Sequence, residues 1–72
     1  MEIDWMKAPR WAQYHACDAN GEGFFYDRLP FANVSVWLCL SKRYSTKFSG
    51  YTLPDGMDWR QSLTKREEKQ HV

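Results

Sequence analysis

Seventy-two residues with a net charge of +1 leave room for one small domain, 1–72, and give no overall attraction to nucleic acid or a membrane surface. A chain this short buries only about 60% of the surface its unfolded state exposes. Four each of Trp, Tyr and Phe, 17% of the residues, must therefore supply the bulk of the interior. The longest apolar run, VWLCL at 36–40, is far short of the ~20 residues that cross a bilayer, and no signal peptide is expected.

Residues 1–10, MEIDWMKAPR, read as an extended lead-in, because Pro9 pushes Ala8 away from helical geometry. From Trp11 the pattern turns strand-like. Asn20-Gly21 is a favoured pair for a two-residue type I′ hairpin, where both central residues take positive φ. That loop would set Cys17 opposite Phe24, Ala16 opposite Phe25, His15 opposite Tyr26 and Tyr14 opposite Asp27. Aromatics then fall on both faces, so periodicity does not say which face is inside. A slip of one residue would exchange the two faces, and Gly23 is a place for a bulge that does so.

Leu29-Pro30 ends the second strand. SVWLCLS at 35–41 is apolar in both phases and predicts a strand central to the sheet. KRYSTK reads as a polar turn, FSGYTL as a fourth strand weakened by Gly50, and Pro54-Asp55-Gly56 as another turn. After it, Asp58 is placed to cap a short C-terminal helix, with Gln61 in the capping-box position and Trp59 and Leu63 on one face. Beyond about residue 66 the chain predicts a solvated tail. The expected fold class is α+β, a three- to four-stranded antiparallel sheet with one short C-terminal helix.

The chemistry-bearing residues are few. His15, Cys17, Cys39 and His71 include ligand types for a metal, but no C-x-x-C or H-x-x-x-H pair exists, and a closed structural zinc site needs four ligands. Cys17 and Cys39 read as reduced, packed thiols rather than a disulfide. A Cys–His nucleophilic pair would need hydrogen-bond contact that i, i+2 neighbours on a strand do not ensure. No phosphate-binding loop or nucleophile elbow is present. No metal, cofactor or enzyme activity is expected.

Two binding readings remain. Residues 1–40 carry three basic and five acidic side chains, residues 41–72 seven and four, so the second half is net positive. Lys42, Arg43, Tyr44 and Lys47 interleave charge and ring as single-stranded nucleic-acid binders do. Equally, Lys and Arg gather in turns because water is there. The other reading is a protein-binding surface, toward a host protein or a second copy. It rests on the excess of large rings over what one thin sheet covers, with Trp11, Tyr26, Phe31 and Trp37 as candidate anchors.

The segment IDWMKAPRWAQYHACDANGEGFFY resembles the openings of small proteins encoded by tailed bacteriophages and prophages. The resemblance rests on Asp4, Trp5, Lys7, Ala8, Pro9 and Ala12, with Met6 where Ser is more usual. GYTLPDGMDWR at 50–60 is similar in kind, and together the two segments span about half of the chain. The resemblance implies a bacterial cytoplasm during infection or lysogeny, and it carries no active-site residues. The combined expectation is a non-enzymatic protein-interaction module, with a single-strand nucleic-acid binder as the alternative.

Overall fold

A computed structural model describes residues 3–39 and 46–66. Six strands follow in chain order: β1 (Tyr14–Cys17), β2 (Glu22–Tyr26), β3 (Phe31–Ala32), β4 (Trp37–Leu38), β5 (Thr46–Thr52) and β6 (Thr64–Lys65). They form an antiparallel four-stranded sheet in the order β5-β2-β1-β6 and a separate two-stranded ribbon, β3-β4. Single 3-10 turns at Trp5–Lys7 and Trp59–Gln61 are the only helical pieces among the described residues. The expected α+β class is therefore corrected: the regular elements of the described residues are strands and 3-10 turns only, and where a C-terminal helix was expected, after Asp58, there is a single 3-10 turn followed by β6.

The reason lies at Ser62. Asp58 does cap the turn, its carboxylate accepting the Arg60 N–H at 3.0 Å. One turn later the Ser62 hydroxyl oxygen lies 2.7 Å from the Trp59 carbonyl and 3.2 Å from that of Cys17, and it accepts the Cys17 N–H at 2.8 Å. A buried serine tied to β1 draws the chain into β6, which pairs Tyr14 with Lys65 and His15 with Thr64. A helix could not present Ser62 to β1 and lay Thr64 beside it as well.

The first hairpin forms around Asn20-Gly21, but its pairing differs by one residue from the type I′ expectation. Tyr14 faces Tyr26, His15 faces Phe25, Ala16 faces Phe24 and Cys17 faces Gly23. Gly21 takes φ +93°, and no non-glycine among the described residues has positive φ. The Gly21 N–H donates to the Asp18 carbonyl and the Asp18 N–H to the Glu22 carbonyl, both at 2.9 Å. This is a three-residue loop, a tight turn followed by one left-handed glycine. Asn20 does not take positive φ, and its side chain accepts the Glu22 N–H at 3.0 Å.

That pairing sorts the rings. Tyr14, Ala16, Phe24 and Tyr26 share one face, where Trp37, Trp59, Leu63 and Cys39 complete the core. His15, Cys17, Gly23 and Phe25 share the other, with Trp5 against Phe25 at 5.6 Å between ring centroids. Arg66 closes this second layer. Its guanidinium sits over the Trp5 ring and donates to the carbonyl of Ala12 at 3.0 Å. The lead-in 1–10 thus holds a 3-10 turn whose indole covers the sheet.

β5 carries the irregularity. Glu22 pairs with Thr52 and Phe24 with Phe48, so Ser49, Gly50 and Tyr51 stand opposite the single residue Gly23. Gly50, at φ +77°, makes the bow possible. The turn at 54–57 forms as its composition suggests, with Gly56 at φ +84° and the Met57 N–H donating to the Pro54 carbonyl.

Candidate interaction surface

Within 35–41, the stretch expected to be a central strand, Trp37–Leu38 instead forms one arm of the β3-β4 ribbon, and residues 40–41 lie outside the described residues. Phe31 pairs with Leu38 and Ala32 with Trp37. Strand alternation then gives the ribbon two unlike sides. Trp37 points in and is only 8% exposed. Its indole N–H donates to the Cys17 carbonyl at 2.8 Å, its backbone N–H to the Asp18 carboxylate at 2.9 Å, and its ring meets Trp59 edge-on. Trp37 is thus the bolt that fixes the ribbon to the sheet.

Phe31 and Leu38, directly opposite each other, point away from it. Phe31 is 46% exposed, Val34 at the tip 85%, and Val36, Leu38 and the preceding Leu29 are also exposed. The tip is held: the Ala19 N–H donates to the Ser35 carbonyl, and the Asn33 N–H to that of Val36. The apolar face is therefore presented by a fixed ribbon. From Leu29 to Ser41, thirteen consecutive residues carry no charge, in a chain 26% charged. Exposed, uncharged and held in place, this face has the attributes of a contact patch.

The expected binding residues separate. Tyr26, 3% exposed, and Trp37 belong to the core and are unavailable to a partner. Both had been expected on a binding surface; the pairing of Tyr26 with Tyr14 and the inward turn of Trp37 bury them instead. Trp11 is partly exposed between the first 3-10 turn and β1. Lys47 is exposed on β5, paired with Phe25, whereas its neighbour Phe48 meets Phe24 edge-on at the opposite face. Lys42, Arg43, Tyr44 and His71 lie outside the described residues. Sequence reasoning names Phe31 but misses Leu29, Val34, Val36 and Leu38; Val36 and Leu38 fall in 35–41, which reads as a strand central to the sheet.

The histidine and cysteines among the described residues are wholly or partly buried. His15 is fully buried, its Nε2 at 2.8 Å from Ser49 Oγ and its Nδ1 without a partner. Burial lowers its pKa to about 4. Burial, with the neighbouring Asp18 charge adding, pushes the Cys17 thiol up to about 11. Cys39 is raised by its own burial and lies against the Arg28 carbonyl and the Asp27 carboxylate. Both cysteines are free. His15 thus meets a serine rather than a cysteine, and among the described residues no three His, Cys, Asp or Glu side chains cluster to hold a metal. Nor is any helix among them long and apolar enough to cross a membrane.

Comparison of the chain with known protein families, curated proteins and solved structures gives no match.

Proposed function

We propose that this chain is a non-enzymatic interaction module that binds protein through the outward face of the β3-β4 ribbon. The observation that carries the reading is the pairing of Phe31 with Leu38 on an exposed, uncharged side of a ribbon whose other side is bolted down by Trp37. Preorganised apolar contact costs little ordering on binding, and an aromatic ring at its centre is a typical anchor. The phage-like opening segment suggests the setting, a bacterial cytoplasm, and a host protein as the partner; a second copy of the chain is the other protein that fits the patch.

Binding to single-stranded nucleic acid ranks second. Lys47 and Phe48 are both exposed on β5, yet they project from opposite faces of the strand and do not line one groove. Two measurements separate the readings. A labelled single strand at low salt should show no binding, whereas affinity that falls steeply with added salt would restore the alternative. Capture from bacterial lysate should return a stoichiometric protein, and an empty capture with a monomeric chain would remove the first reading.

A further inference from the structure

Across the sheet from the ribbon, the side chain of β1 reaches over β2 to meet β5. His15 lies above Gly23, where an added Cβ would stand 2.7 Å from the ring, and it closes on Ser49 within the bow of β5. Phe25 and Tyr51 flank the ring edge-on, at 5.0 and 5.5 Å between centroids. β5 is an edge strand paired on one side only, and three of its seven residues oppose one residue of β2. The contact between His15 and Ser49 spans the place where ladder pairing is interrupted.

We propose that His15 and Ser49 form an acid-released latch: protonation of His15 frees the bowed part of β5 while β1 and β2 stay paired.

The neutral ring fits with its proton on Nε2, donated to Ser49 Oγ, because the buried Nδ1 has no acceptor for one. Adding a second proton places a charge and an Nδ1–H where nothing accepts them. Among the described residues Tyr51 is the titratable side chain in ring contact, and Gly23, Phe25 and Ser49 are neutral. On β6, Thr64 pairs with His15 and is neutral. Two charged side chains placed on this face, Lys47 beside Phe25 and Arg66 over Trp5, are cations. The ring nitrogen's low affinity for a proton in the closed sheet, with burial as its cause, is consistent with this geometry. Once Ser49 and Tyr51 move away, water reaches the ring and the ordinary histidine affinity returns.

The latch goes beyond the ribbon's role and stands or falls separately from it. Native-state hydrogen exchange at pH 7 and pH 4.5, corrected for intrinsic rates, tests it. For a group titrating near 4 when closed and about 6.5 when open, the opening constant of the β5 amides rises about fifty-fold over that interval. Amides of the β1-β2 hairpin change little. In His15→Phe the rise disappears, and in Ser49→Ala the β5 amides are already less protected at pH 7. Should the phenyl ring fail to fit, His15→Gln serves the same purpose. β5 amides equally protected at both pH values would overturn the latch, as would β1, β2 and β5 amides opening together.

Discussion

His15 and Ser49 belong to strands that are not neighbours, yet their side chains meet at 2.8 Å across the strand between them. Gly23 is what permits it. Its φ is not in the left-handed region, so the backbone does not need a glycine here, but an added Cβ would stand 2.8 Å from both His15 Nε2 and Ser49 Oγ. Glycine in a strand ordinarily costs about 0.5–1 kcal/mol relative to alanine. Here the clash should exceed that gain. Gly23→Ala should destabilise the fold by about 1–3 kcal/mol in denaturant titrations. The loss should shrink when His15→Ala is made in the same chain, a coupling that a double-mutant cycle measures directly.

Ser62 predicts a second loss. Its hydroxyl accepts the Cys17 N–H beyond the point where β6 pairing ends, so a side chain substitutes for a strand. Ser62→Ala leaves that buried donor without a partner and should cost about 1–3 kcal/mol. Thermal unfolding checks the magnitude, and faster hydrogen exchange at the Cys17 amide checks the cause.

The cysteines should behave differently. Cys17 is fully buried and its thiol titrates near 11 rather than 9. The unfolded chain gives up that proton first, so this group's contribution to stability is complete below about pH 9 and is lost as pH rises through 11. Over that interval the loss is on the order of 2–3 kcal/mol. Tyr26, its phenol raised by burial first of all, acts in the same direction. Alkaline unfolding of Cys17→Ala should therefore show a shallower pH dependence than the parent chain. A thiol reagent at pH 8 should modify the half-buried Cys39 well before Cys17.

Much of the sheet was legible because turn chemistry is local. Asn20-Gly21 and Pro54-Asp55-Gly56 name their turns from composition, and Asp58 names its cap. What stayed hidden were choices settled at a distance. The I′ reading missed by one residue: Asn20 does not take positive φ, its side chain takes the Glu22 N–H, and that slip decides which rings are inside. The helix after Asp58 was a fair local reading, undone by Ser62 bonding to a strand 45 residues earlier. VWLCL looked central because it is apolar in both phases. The same composition is met when one phase enters the core through Trp37 and the other is left outside as Leu38 and Val36. Hydrophobicity alone does not distinguish a strand covered twice from a ribbon covered once.

The ribbon is where the account is most exposed to test. Capture from bacterial lysate with the wild-type chain, with Phe31→Ser plus Leu38→Ser, and with Phe48→Ser compares its face with another exposed ring. Near-UV circular dichroism of the Trp37–Trp59 pair should confirm that all three chains fold alike. The account predicts a stoichiometric protein retained by the wild type and by Phe48→Ser, and lost from the ribbon variant. Retention of that protein by a folded Phe31→Ser, Leu38→Ser chain would contradict it.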